Sequence, residues 1–135
     1  MYDRPNPVEQ LAAVADFLRD QVMPQVDGQL AFHLRVAANM LDIVSRQTRL
    51  APQAEAAELA RLHALLGNGG SQRKHANLAD LNRELCNRIA DGRFNMDTPG
   101  LTDHLWRVTL DKLAVDQPRY ETLLRLLAAA KTKEG

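Results

Sequence analysis

The sequence predicts an all-α chain, a compact bundle of five to six helices around one long central helix. Two observations carry that expectation. Leu, Ala and Val dominate a 45% apolar content while aromatic residues make up only 4%, and the β-branched and aromatic types that favour strands are correspondingly scarce. Apolar residues also recur every three or four positions, the period of a helix face, and no stretch alternates in the manner of a half-buried strand.

The elements run in order from the N-terminus. Asn6-Pro7-Val8-Glu9 opens the first helix, with Asn6 as cap, Pro7 at the first helical position and Glu9 closing a capping box. Val8, Leu11, Ala15, Leu18 and Val22 form its inner stripe, Val14 and Phe17 fall off it, and Pro24 ends or kinks it. Asp27-Gly28 marks a turn, after which the longest helix is expected from Gly28 to about Leu50. Pro52 is expected to open a third helix carrying Leu59, Leu62, Leu65 and Leu66 and stopping at Gly67. Residues 67–76, rich in glycine, read as a flexible connector. They lack the Gly-Lys-Ser/Thr ending and the preceding strand of a phosphate-binding loop. Asn77 caps a helix with Leu78, Leu81, Leu85 and Ile89 on one face, ended by Gly92. Thr98-Pro99 starts the next, running to about Asp116, and Pro118 precedes a last helix from Tyr120 to Ala130. The tail, residues 131–135, is expected to fray.

The 135 residues fit one domain, 1–135, with a single core. The 17 basic and 17 acidic side chains cancel, leaving no cationic excess for a phosphate backbone, so nucleic acid is not an expected partner. One cysteine excludes an internal disulfide or a thiolate zinc cluster within the chain. Cys86 itself lies beside an apolar face and reads as a small hydrophobe. No His/Glu ligand pattern of the di-iron bundles occurs, so no metal and no cofactor is expected. The N-terminus lacks a signal-peptide layout and no apolar run approaches bilayer length, which points to the cytoplasm and away from membranes.

Placed about 100° apart on a wheel, the residues of the long helix leave one narrow polar ribbon: Arg35, Asn39, Asp42, Arg46 and Arg49. Asp42 can pair with Arg35 or Arg46. The ribbon reads either as an ion-paired solvated or interface-lining face, or as a groove in which Arg35 and Asn39 hold an anion through the planar guanidinium fork. His33 projects from the apolar arc, either as a core or interface histidine or as a titrating group. In the fifth helix, Asp103, Arg107 and Asp111 are spaced for surface pairs. Asp111 and Asp116 are candidates to meet Arg35 or Arg46 in a structural polar network, and an anion groove at the ribbon would instead place Asp111 or Lys112 near it. Val14 with Phe17, and Trp106 with Leu110 and Leu113, are apolar surplus beyond one stripe per helix. That surplus predicts a homodimer or another protein partner.

Met1-Tyr2-Asp3-Arg4-Pro5, Asp27-Gly28-Gln29-Leu30-Ala31-Phe32-His33-Leu34-Arg35-Val36-Ala37-Ala38-Asn39, Leu81-Asn82-Arg83-Glu84-Leu85-Cys86 and Leu110-Asp111-Lys112-Leu113-Ala114-Val115-Asp116-Gln117-Pro118-Arg119-Tyr120 together resemble a bacterial family of unknown function. Genes of its members often lie beside an acyl-CoA dehydrogenase and a kinase resembling aminoglycoside phosphotransferases. The resemblance implies a setting, accessory to acyl-CoA or hydroxy-acid breakdown, with either enzyme as a partner. It carries over no catalytic residue. The alternative it leaves open is a binder or minor enzyme acting on an acyl-CoA-like anion through Arg35 and Asn39.

Overall fold

A computed structural model describes residues 4–67 and 76–133. Those residues form five α-helices and no strand: α1 Pro7–Phe17, α2 Gly28–Leu66, α3 Leu78–Ala90, α4 Leu101–Asp116 and α5 Glu121–Lys133. The connector expected at 67–76 lies, except for its two end residues, outside the described residues. The last two residues of the tail also lie outside them, and residues 131–133 continue α5.

The capping box of α1 is formed as its sequence dictates. Asn6 Oδ1 accepts from the Glu9 amide at 3.0 Å, and a Glu9 carboxylate oxygen accepts from the Asn6 amide at 2.8 Å. Two N–H groups that a helix start leaves unpaired are thereby satisfied. After Phe17 the chain widens into one π-helical turn, Leu18–Val22, and then tightens into a 3₁₀ turn, Met23–Gln25, around Pro24.

The separate helix expected to begin at Pro52 does not exist: α2 runs unbroken through Pro52 for 39 residues. Proline removes one ladder donor and crowds the carbonyl four residues back, that of Thr48. Thr48 also turns its own hydroxyl onto the Val44 carbonyl at 2.8 Å. This weak point is where the chain divides into two compact units, Met1–Pro52 and Gln53–Gly135.

Among the described residues of the first unit, those that are fully buried are both alanines, Ala15 and Ala38. Each precedes by one turn a member of the ion pair Arg19–Asp42. The buried alanines and the pair therefore share one face of α1 and its π turn, and one face of α2. Arg19 Nη2 also donates to the Ala38 carbonyl at 3.3 Å.

The second unit holds the leucine core. Leu62 and Leu66 of α2, Leu81 and Leu85 of α3 and Leu101 of α4 form one buried cluster, with Leu59, Leu65, Ala76, Leu78 and Phe94 packed around it. Helix α2 stops at Gly67, whose φ of +78° suits glycine and whose amide returns to the His63 carbonyl at 3.0 Å. Asn77 Oδ1 caps α3 by accepting from the Asp80 amide at 2.9 Å. The cap of α4 is Gly100, at φ +82°, and not Thr98. Thr98 instead closes the preceding turn, its hydroxyl accepting from the Asn95 amide at 2.9 Å. A side chain at Gly100 would bring its Cβ to 3.4 Å from Leu65 Cδ2 in addition to the strained φ.

Two substitutions test the packing by denaturant titration. Leu62→Ala should cost about 2–5 kcal/mol, because Leu62 is wholly buried in the cluster. Pro52→Ala should raise stability by roughly 1–3 kcal/mol by restoring the missing helical hydrogen bond; a destabilised Pro52→Ala chain would show that the helix depends on the proline.

Candidate functional site

The polar ribbon of α2 is built, and it is anchored by a residue from outside the helix. Arg35, Asn39 and Arg49 are exposed, and Asp42 and Arg46 are half-buried. Asp42 pairs with Arg19 from the π turn, a partner that the spacing within α2 does not suggest. Arg19 lies within 4.0 Å of Asp16 as well. A π turn inserts one residue into the helical ladder and rotates the residues beyond it. Sequence periodicity reads the segment as ordinary helix, so the Arg19–Asp42 contact, 23 residues apart in the chain, escapes it. His33 is exposed, its ring centroid 5.9 Å from that of Phe32.

On the same stretch of α2, the face opposite Ala38 carries Phe32, Val36, Met40 and Val44 at successive four-residue steps. All four are exposed, as are Leu30 and, on α1, Val14 and Phe17, with fractional exposures from 41% at Val36 to 61% at Met40. The stripe is about 18 Å long at 1.5 Å per residue. The ribbon headed by Arg35 and Asn39 borders it along one edge.

The other candidates belong to the second unit. Asp111 is half-buried and meets Arg61 of α2, Nη2 to carboxylate 3.6 Å, while Lys112 and Asp116 are exposed. Arg107 pairs with Asp103 at 2.9 and 3.0 Å, as its four-residue spacing suggests. Trp106 and Leu105 are exposed. Cys86, which reads from the sequence as a small hydrophobe beside the apolar face, is exposed.

The polar feature that sequence reasoning missed is His104, 1% exposed within α4. Its signal was present: residues 101, 104, 108, 111 and 115 keep the three-four spacing of one helix face, so His104 and Asp111 occupy places in an apolar stripe. The His104 Nδ1, and Arg61 Nε and Nη2, are buried without a hydrogen-bond partner. Burial holds the imidazole pKa below its usual value, the nearby Arg61 charge adds to this, and Glu58 and Asp103 oppose it. Glu58 is itself held by Asn82 Nδ2 at 2.7 Å. A shallow cleft of about 190 Å³ lies alongside, lined by Arg61, Ala64, Leu65, Pro99, Gly100 and Asp103.

Among the described residues no three His, Cys, Asp or Glu side chains converge as metal ligands. No described helix is long and apolar enough to cross a membrane. These arrangements define a class: an all-α chain with an uncovered apolar helix face and a buried histidine beside a partly buried Arg61–Asp111 pair. Residues 24–120 match the family model described as a domain of unknown function, DUF6285, and the chain belongs to that family. No curated protein and no solved structure matches the chain.

His104 sets a pH dependence. The folded state disfavours the imidazolium, whereas the unfolded chain takes up the proton near the ordinary value of 6.5. Stability is therefore full above about pH 6.5 and falls as pH drops through that value toward the depressed folded pKa. His104→Leu, which keeps the volume and removes the titrating ring, should flatten thermal midpoints between about pH 4.5 and 6.5. Equal slopes in the two proteins would show that other groups govern acid sensitivity.

Proposed function

We propose that this chain is a non-enzymatic accessory protein that works by helix-mediated protein association, in the setting of acyl-CoA or hydroxy-acid catabolism. The observation that carries the reading is the stripe Phe32, Val36, Met40 and Val44, exposed together with Val14 and Phe17 in a unit whose fully buried described residues are two alanines. Isolated exposed apolar residues are ordinary, but a contiguous row marks a contact surface. The metabolic setting comes from the family resemblance, with the neighbouring dehydrogenase and kinase as its named candidates.

A tagged chain should recover the acyl-CoA dehydrogenase or the phosphotransferase-like kinase from the native host, and Met40→Asp should lose that capture while keeping helicity by circular dichroism. A chain that captures neither enzyme and is strictly monomeric overturns the reading. The competing function, an acyl-CoA-like anion held by Arg35 and Asn39, has less support, since both side chains stand exposed on a helix surface. It requires acyl-CoA binding that Arg35→Ala abolishes; calorimetry on the wild-type chain should instead show no acyl-CoA binding.

A further inference from the structure

We propose that Asp27-Gly28 is a site of spontaneous backbone modification, where the Asp27 carboxyl condenses with the Gly28 amide and reopens as isoaspartate. The chain's second Asp-Gly pair, Asp91-Gly92, is held back from the same reaction by its hydrogen bonds. Water is the only reagent, and the inference stands apart from the association reading.

The chemistry follows from connectivity. The Gly28 nitrogen attacks Asp27 Cγ and closes a five-membered succinimide. The new N–Cγ bond replaces the Cγ–OH bond, and the amide proton leaves with the hydroxyl as water. Water then adds to one of the two ring carbonyls. Opening at Cγ regenerates aspartate. Opening at the α-carbonyl routes the chain through the β-carboxyl, giving isoaspartate of unchanged composition. A following glycine favours closure, having no Cβ to obstruct the approach and a freely turning backbone.

Two features leave Asp27-Gly28 open to this step. The Asp27 carboxylate is exposed and, among the described residues, accepts no hydrogen bond and joins no ion pair. Asn6 and Asn77 stand at the same place before α1 and α3, and each is committed to the amide three residues on, at 3.0 and 2.9 Å. A capping side chain needs helical backbone directly after it, whereas Gly28 stands at φ +61°. The second feature is the nucleophile: among the described residues the Gly28 amide donates to no carbonyl.

Both features are reversed at Asp91-Gly92. Arg93 Nε donates to the two Asp91 carboxylate oxygens at 3.0 and 2.8 Å, Nη2 lies 2.6 Å from one of them, and the Arg93 amide adds a bond at 3.2 Å. Those bonds hold the Asp91 carboxyl below the usual carboxylate range and so keep it ionised. Ring closure draws on the protonated carboxyl, whose hydroxyl can leave. The Gly92 amide, for its part, donates to the Ile89 carbonyl at 3.2 Å. Space does not separate the two sites, since a Cβ at either glycine would meet nothing within 4 Å. Hydrogen bonding does. The consequence falls on α2, whose Ala31 amide reaches the Asp27 carbonyl at 3.5 Å. Isoaspartate lengthens the backbone by one atom at that point and loosens the first turn.

The test keeps the purified chain at neutral pH, warm but below its unfolding transition. Isoaspartate is quantified by peptide mapping with electron-transfer fragmentation, because it has the mass of aspartate. Asn68-Gly69 closes the same ring with loss of ammonia, and its mass change sets it apart. Isoaspartate should accumulate at residue 27 while residue 91 lags at least about fivefold, the order that an exposed ion pair and an amide hydrogen bond can impose. In denaturant the two positions should react alike. Asp27→Glu, whose ring would have six members, should lose the signal at residue 27. Arg93→Gln should raise it at residue 91.

Equal accumulation at the two positions of the native chain overturns the proposal, as does none at residue 27 while the denatured chain reacts. An Arg93→Gln chain with unaltered circular dichroism and residue 91 still as slow overturns the assigned cause of its protection.

Discussion

A single helix has to serve two units, and its two ends bury very different amounts of apolar surface. From Gln53 onward, α2 supplies Leu62 and Leu66 to a cluster completed by Leu81, Leu85 and Leu101. Before Pro52 its fully buried residue is Ala38. Burial of a leucine is worth about 1.5–3 kcal/mol and that of an alanine much less, so the fully buried apolar side chains contribute mainly to the second unit. In the first unit Leu11, Leu18, Leu34 and Leu41 are only partly buried, and a polar contact joins them. Arg19 reaches across to the Asp42 carboxylate and the Ala38 carbonyl, and half-exposed pairs of that kind contribute modestly.

This asymmetry gives Pro52 its meaning. A proline well inside a helix is costly because it deletes a hydrogen bond and crowds the preceding turn. It is tolerated where the packing changes from one unit to the next, since the weakened ladder then falls at a boundary and not within a core. The glycines at the other boundaries act differently. Gly67 and Gly100 take positive φ values at a helix end and a helix start, conformations that would strain any side chain.

Much of the architecture was legible because it rests on local chemistry. Asn6, Asn77, Gly67 and the leucine spacing of α3 announce their roles through capping and periodicity alone, and the helices form where those signals place them. The features that escape a sequence reading depend on distance or on helix geometry. Pro52 carries the same local signal whether it opens a helix or sits inside one, and tertiary context decides. The Arg19 partner of Asp42 is hidden because the π turn at Leu18–Val22 has no sequence signature, and Arg19 comes from outside the helix that holds Asp42. His104 is legible in spacing but not in chemistry, since a histidine among leucines looks like a neighbour of the stripe and not a member.

The two units divide the polar chemistry as sharply as the apolar. In the second, the charged groups near the core are drawn inward and opposed to one another: Arg61 to Asp111, Glu58 to Asn82, His104 to the field of Arg61. The cluster is only partly satisfied, since His104 Nδ1 and Arg61 Nε and Nη2 are buried without a hydrogen-bond partner. In the first, apart from Arg19 and Asp42, the charged side chains of residues 7–27 are acidic and those of residues 28–52 are basic. Exposed charges separated by sign do little for a monomer in salt, yet they orient an approaching surface and penalise wrong registers. The fully buried leucines belong to residues 53–133, whereas on α2 before Pro52 the face with the largest exposed side chains is bordered by Arg35, a cation with no ion pair among the described residues.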